Sequence, residues 1–279
     1  MKTIAYIHTP PRGFCDQWEF NLNKFFDKLP VFLKPFFPII KPILEFFKNF
    51  VLNQFSASLN SIDHIITNSQ NIKNRTQKYL QIEADSVIYP AVDTTKFHFL
   101  GQDSAHYYHS HCRLEELKRI PLIVQAFEQM PDKNLVITSG GPLENWIKDE
   151  IKTKNLQNIT FRGRVSDECL FEIMGNSVAG IMIPVDEDAG ITQIEFLAAG
   201  KPVIGVAEGG LLETITENLT GILIPQNPNV EDLKIGITKM TPEFALSLRE
   251  NCQKVAKSYD NSVFFQKLDK VIEDLLKIK

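Results

Sequence analysis

Short apolar runs of four to six residues alternate along this chain with longer amphipathic stretches, and that alternation predicts a doubly wound α/β arrangement. In the first third, residues 3–8, 63–67 and 86–89 read as strands, with a polar helix over 69–80. Further on, 134–138, 158–161, 179–183, 201–206 and 221–224 read as strands. Helices are expected over 121–130, 190–199 and 241–258, followed by a last amphipathic one capped by Asn261. Pro121 in a first turn, and Gly200 then Pro202 after a last turn, are the start and stop signals that bound two of them. One segment breaks the pattern: HYYHSH, residues 106–111, falls where the first strand of a second domain is due, yet it is polar and aromatic.

A second departure lies between residues 21 and 55, where a large share of the 20 phenylalanines is concentrated. Pro30, Pro35, Pro38 and Pro42 divide its first part into short pieces, because each removes a backbone donor and disfavours helix at the residue before it. After Pro42 a helix is expected, with Ile43, Phe46, Phe47, Phe50, Val51 and Phe55 on one face. Two readings of that face stay open: packed core, or an element lying in the headgroup layer of a membrane with Lys24, Lys28, Lys34, Lys41 and Lys48 near anionic lipid.

Composition narrows the classes. The chain has 279 residues, 43% hydrophobic and 23% charged, which is ordinary for a globular protein, and its net charge of −4 offers no general attraction for nucleic acid. Cys15, Cys112, Cys169 and Cys252 form no C-x-x-C pair and read as free thiols of a reducing compartment. No secretory signal or membrane span is visible, so a cytoplasmic protein is expected. His106, His109 and His111 lack a spaced second group of ligands, and no metal site is assigned to them.

The chemistry concentrates in residues 181–204, IMIPVDEDAGITQIEFLAAGKPVI. A strand, an acidic loop, a helix with its cap and a second strand make a βαβ unit. The first N–H groups of the helix, at Gly190, Ile191 and Thr192, have no partner inside it and face the positive end of the macrodipole, which suits a phosphate. Glu195 lies about 5 Å further along on the same face, a rise that resembles the step from a nucleotide's phosphate to its ribose. Glu187 precedes the helix, on the side where a sugar attached to a diphosphate would lie.

This stretch resembles the E-x7-E signature of retaining glycosyltransferases of family 4, which have the GT-B fold, and EFLAAGKPVIG followed by EGGLLETI extends the likeness. The resemblance implies a catalytic Glu187 near the donor sugar and a Glu195 that holds the ribose hydroxyls. In CRLEELKR it implies that Arg113 and Lys118 hold the donor diphosphate together with Gly190, Ile191 and Thr192; Cys112 stands where the family has glycine, leaving less room for the ligand. The backbone at Arg164 and Val165 would lie against the base. The segment YIHTPPR is similar to one in the N-terminal domain of mannosyltransferases of this family, which implies that His8 faces the reacting sugar and Arg12 the acceptor side or diphosphate. Asp186, Glu187 and Asp188 also have the D-x-D shape that holds a divalent metal in a different glycosyltransferase fold, a reading that activity surviving EDTA would exclude.

By the same resemblance, 1–95 would be a partial N-terminal domain with its Phe/Pro-rich segment at 21–55. Residues 96–258 would be the nucleotide-sugar-binding domain, and 259–279 a helix returning to the first. The opening βαβα part of such an enzyme, with its glycine-rich loop facing the acceptor, has no counterpart, and only about three strands precede the linker at 90–101. The leading expectation is therefore a retaining glycosyltransferase, metal-independent and without a cofactor beyond its nucleotide-sugar substrate. It would transfer mannose from GDP-mannose to a lipid-linked glycan acceptor in bacterial surface polysaccharide (lipopolysaccharide) assembly, as a peripheral protein of the inner membrane's cytoplasmic face. A non-catalytic nucleotide-sugar-binding subunit that needs a partner chain or a second copy is the alternative, and a sugar-nucleotide epimerase a third. The residues leave the donor, acceptor and linkage open.

Overall fold

The computed structural model describes residues 2–101 and 106–277. The chain divides into two compact units, one running to Tyr89 and taking in the chain from Lys270 onward, the other Pro90–Asp269.

In the first unit, β1 (Ile4–Ile7) is followed by α1 (Trp18–Lys28), α2 (Phe37–Leu59), β2 (His64–Thr67), α3 (Gln70–Leu80) and β3 (Ser86–Val87). The strands form a parallel sheet in the order β1-β2-β3, with Ile4 opposite His64 and Ile66 opposite Ser86. Asp63 sets the start of that register: its Oδ2 accepts the Thr3 N–H at 2.9 Å and the Thr3 hydroxyl at 3.0 Å. Ser69 caps α3 by accepting the Ile72 N–H at 3.0 Å. The core is a cluster of Ile7, Cys15, Leu52, Leu59, Ile65, Ile72, Leu80, Ile82 and Ala84.

The Phe/Pro-rich segment folds differently from expectation. Helix α2 begins at Phe37, before Pro42, because Pro38 stands in its first turn where a missing N–H costs nothing. The face whose role the sequence left open is divided: Ile43, Phe46, Phe47 and Phe50 are 53–74% exposed, while Phe55 packs against the core, which the helix enters through Leu52 and Leu59. Val31, Phe32 and Phe36 of the turn before it are exposed as well. Among the described residues, no helix is long and apolar enough to cross a membrane.

The second unit is built on a six-stranded parallel sheet. Its strands are β4 (Tyr107–His111), β5 (Asn134–Thr138), β6 (Ile159–Gly163), β7 (Gly180–Met182), β8 (Val203–Val206) and β9 (Gly221–Ile224), in the order β6-β5-β4-β7-β8-β9. Between them run α4 (Ile120–Glu128), α5 (Glu144–Thr153), α6 (Asp167–Asn176), α7 (Ile191–Ala198) and α8 (Leu211–Thr214). After β9 come α9 (Val230–Lys239), α10 (Pro242–Ser247), α11 (Arg249–Ala256) and α12 (Asn261–Lys277). This is the doubly wound α/β class that the apolar periodicity predicts. The helix expected over 241–258 is interrupted at Leu248. The last helix is capped by Asp260 rather than Asn261, since Asp260 Oδ1 accepts the Ser262 N–H at 3.0 Å. The same carboxylate accepts the Thr94 hydroxyl at 2.6 Å, and Val92 exchanges backbone hydrogen bonds with Tyr259 and Asn261. These bonds tie residues 92–94 into the second unit, so the division falls after Tyr89.

The polar segment 106–111 supplies the central strand. Several of the polar groups on β4 find partners, while His109 Nδ1 is buried without one among the described residues. The Tyr108 hydroxyl donates to the Met240 carbonyl at 2.8 Å, and the Tyr107 hydroxyl to the Ile173 carbonyl at 2.7 Å. The Thr138 hydroxyl on β5 lies 2.8 Å from both His109 Nε2 and His111 Nδ1, so it donates to one ring and accepts from the other. Burial holds both rings neutral and pushes His109 down to about 3, with His111 beside it adding to the effect.

Replacing Thr138 by valine keeps the shape but strips two buried imidazole nitrogens of their partner, and about 2–4 kcal/mol of stability should be lost. Urea denaturation of Thr138→Val against Thr138→Ser, which restores the hydroxyl, measures it; a loss below about 1 kcal/mol would mean that other groups satisfy the rings.

Candidate active site

Strand order decides where a ligand can sit. The sheet runs outward from β4 through β5 and β6 on one side and from β7 through β8 and β9 on the other, so the loops leaving β4 and β7 diverge and open a crevice at their carboxyl ends. The β4 loop carries Cys112, Arg113 and a short 3-10 turn, Glu116–Lys118. The β7 loop carries the acidic residues 186–188. Across the crevice the Lys118 ammonium donates to Glu187 Oε2, with both side chains about one-fifth exposed. Two of the residues singled out from the sequence, 69 positions apart, thus meet.

Several contacts fix the acidic loop against its neighbours. The Val185 N–H donates to the Leu117 carbonyl at 2.7 Å, and the Gly210 N–H to the Glu187 carbonyl at 2.7 Å. Gly209 adopts φ 57°, and a Cβ there would stand 2.5 Å from the Glu187 carbonyl oxygen. This close approach is why EGG follows β8. Beneath the loop lies an ion pair that sequence reasoning missed, Arg119 to Glu208 at 2.8 Å. Both residues stood in the quoted runs CRLEELKR and EGGLLETI, but nothing in either run said that their side chains would meet.

Helix α7 has Gly190 as its N-cap, with φ 65°, and no side-chain cap among the described residues bonds its first amides. Ile191 and Thr192 are exposed and half-buried at that end. Glu195 lies one turn further in. Burial raises its carboxyl to about 7, and the negative charge of Asp167 adds to the shift.

The remaining expected residues are spread more widely. Arg113 is directed to solvent, 71% exposed, with its Nε 3.5 Å from Glu115, and does not join Lys118 in this structure. Cys112 lies close to the Lys118 and Glu187 charges, but burial pushes its thiol up to about 12, which keeps it protonated. Arg164 is exposed and Val165 half-buried just beyond β6. His8 and Arg12 belong to the first unit. His8 is exposed just after β1, edge-on to Tyr6 with ring centroids 5.0 Å apart. Both Nε and Nη2 of Arg12 are engaged by Asp16 Oδ2, at 2.9 and 2.6 Å. Among the described residues, no group of three or more His, Cys, Asp or Glu side chains is placed to hold a metal ion.

A doubly wound sheet whose loops diverge at the β4/β7 switch point defines the open α/β class, in which the crevice outside the carboxyl ends of the strands is the place for a ligand. Residues 97–259 match the family model of the glycosyl transferases group 1, and the chain belongs to that family. It is similar to the alpha-1,3/1,6-mannosyltransferase ALG2 of Dictyostelium discoideum, 27% identical over 260 residues, which covers 76% of this chain and 61% of that protein. An uncharacterized glycosyltransferase of Methanocaldococcus jannaschii is 26% identical over 223 residues, 79% of this chain and 62% of its own length. The chain thus spans about three-fifths of the length of these relatives. In fold it is similar to the sucrose-phosphate synthase of Thermosynechococcus elongatus, with a TM-score of 0.72 at 21% identity over 82% of this chain and 62% of that one, so the fold is GT-B-like.

The raised Glu195 gives the stability a pH dependence of known sign. A carboxyl near 7 in the folded chain and near its ordinary 4.5 when unfolded makes the folded state the one that binds the extra proton between those values. Its contribution is therefore complete below about pH 4.5 and lost as the pH rises through about 7, on the order of 1–3 kcal/mol. Glu195→Gln should flatten this part of the stability profile, measured by urea denaturation at pH 5 and pH 8; parallel profiles for the two proteins would contradict it.

Proposed function

We propose that this chain binds a nucleoside diphosphate sugar in its second unit and takes part in retaining glycosyl transfer, with a mannosyl donor, GDP-mannose, as the first to test. The observation that carries the reading is the Lys118–Glu187 pair at the β4/β7 switch point, with the α7 start and Glu195 following it in the chain. Membership of the family supports transferase chemistry, and the mannosyltransferase named among its relatives favours mannose.

The residues would divide the work as follows. When the bond from the anomeric carbon to the diphosphate breaks, negative charge develops on the leaving oxygen. The Lys118 ammonium and the amides at Gly190, Ile191 and Thr192 are fixed donors for that charge, and Arg113 adds a guanidinium by turning in from its solvent position. Glu187, freed from Lys118 as the diphosphate takes the ammonium, orients the sugar and supports the positive character of its anomeric carbon. Glu195 accepts the ribose hydroxyls, a role that requires the ionised carboxylate. For Arg12 to take up a ligand it would have to leave Asp16, whose Oδ2 engages its Nε and Nη2.

The first unit gives this reading a location. Phe32, Phe36, Phe46 and Phe47 are 54–74% exposed, and Lys24, Lys34, Lys41 and Lys48 lie on the same two helices and the turn between them. Apolar rings among ammonium groups suit the headgroup layer of an anionic bilayer, where a lipid-linked acceptor on the cytoplasmic face would be reached. One observation favours the alternative of a non-catalytic binding subunit: among the described residues the first unit's sheet has three strands, with β1 at an edge. A partner chain or second copy would then complete it.

Two experiments separate these readings. With GDP-mannose and UDP-glucose as donors, Glu187→Ala should lower transfer or donor hydrolysis by about 10²–10³-fold while GDP binding by calorimetry stays within about threefold. Glu195→Ala should weaken GDP or UDP binding by about 10–100-fold, and the wild-type affinity should fall as the pH drops through about 7. Binding without sugar release from any donor would favour the binding subunit. Separately, sedimentation with vesicles containing anionic lipid should recover the wild-type chain but not the Phe32, Phe36, Phe46, Phe47→Ser variant; equal recovery removes the membrane contact.

A further inference from the structure

The loop that carries Glu187 passes through Asp186, whose φ of 42° is left-handed. A non-glycine residue held there is strained and persists only where its surroundings fix it. Arg119 and Glu208 share in the fixing with the Val185 and Gly210 backbone bonds. Nη1 of Arg119 donates to the carbonyl oxygens of Ile183 at 2.9 Å and Pro184 at 3.0 Å, and its Nη2 donates to Glu208 Oε1 at 2.8 Å. Glu208 accepts the Asp186 N–H through Oε2 at 3.2 Å, and the Asn227 N–H through Oε1 at 2.8 Å. The pair is nearly buried, with side chains 12% and 10% exposed. It holds residues 183–186 by two carbonyls and one amide, and ties them to the loop after β9.

Arg119 is also placed to set the other half of the site. It follows Lys118 directly, and with φ 52° and ψ 34° it turns the short 3-10 helix into α4. One residue therefore fixes the backbone next to the lysine and grips the loop that delivers the glutamate. A buried ion pair is a poor device for stability alone, because desolvating two charges offsets most of their attraction. Directed hydrogen bonds to four backbone groups do something an apolar contact cannot: they fix orientation.

We infer that Arg119 and Glu208 are a positioning pair, which holds the 183–188 loop so that Glu187 faces the donor sugar while neither member touches the donor. The inference rests on the glycosyltransferase reading given above. In the catalytic step the pair acts through Glu187, so its loss should appear in turnover rather than in nucleotide affinity.

The test uses the full chain and three variants. Arg119→Gly removes the guanidinium while easing the left-handed backbone, Arg119→Lys keeps the charge with a single point donor, and Glu208→Gln keeps shape and acceptors without the charge. Hydrogen exchange of peptides covering 183–190 reads the loop directly, calorimetry with GDP and UDP reads binding, and steady-state turnover with a nucleotide-sugar reads chemistry. In Arg119→Gly the loop amides should exchange about 10-fold faster or more, kcat should fall about 10–100-fold, and donor KM and GDP affinity should stay within about threefold. Arg119→Lys and Glu208→Gln should recover part of both the protection and the turnover. Unchanged loop exchange in Arg119→Gly, unchanged kcat, or a loss of GDP affinity equal to the loss of kcat would each overturn the inference. If Arg119→Gly fails to fold by circular dichroism, Glu208→Gln is judged by the same three outcomes. Should the wild-type chain turn over no nucleotide-sugar, the functional reading falls, and loop exchange alone then decides whether the pair holds the loop.

Discussion

A lysine and a glutamate 69 residues apart meet because the strand order of the second unit reverses between β4 and β7. Everything chemical in this unit depends on that reversal. It sends the loop with Lys118 to one side of the crevice and the loop with Glu187 to the other, and it aims the start of α7 between the carboxyl ends of the strands. Charge then completes the arrangement: Lys118 and Glu187 neutralise each other across the crevice. A diphosphate ligand would displace the carboxylate from the ammonium, so the proposed chemistry begins by exchanging one partner of the lysine for another.

The same unit tolerates an unusual number of polar and titratable groups at its centre. His109 and Thr138 are fully buried in adjacent strands, and Glu195 is buried enough to hold its proton near neutrality. Lys201, in the turn after α7, is buried too; it donates to the Gly101 carbonyl at 2.9 Å and lies 4.2 Å over the ring of Phe99. Burial lowers its ammonium to about 7. Histidine and lysine lose charge on burial while glutamate gains a proton, so each of these groups moves toward its neutral form. Partners such as the Thr138 hydroxyl offset part of the cost of burying a strand that looked too polar to be central, although His109 Nδ1 is buried without one among the described residues.

The first unit shows the opposite economy, with apolar surface left outside. Only Leu52 and Leu59 of the long helix α2 enter the core cluster, while several of its phenylalanines face outward. Prolines before and inside the helix set where it begins but not which face it buries. Lysines interleaved with those rings give the face a chemical character that a simple core helix would lack, and that is the ground for the proposed membrane contact.

Periodicity and punctuation in the sequence were enough to determine the α/β class and every strand but β4 to within a residue or two, because these depend on local patterns. Lys118, in contrast, was singled out only through the family resemblance, and its meeting with Glu187 was not foreseen. The start of α7 was legible to within a residue, with Gly190 as its N-cap and Ile191 its first helical position. Tertiary structure alone decided the rest. That Arg113 points to solvent while Arg119 grips the Glu187 loop depends on where two adjacent loops lie in space, and spacing along one strand of sequence carries no such information. The outward face of α2 and the buried polar strand β4 were decided in the same way, by which neighbours were present to accept each side chain. Local pattern fixes an element; only the assembled neighbours fix what its side chains meet.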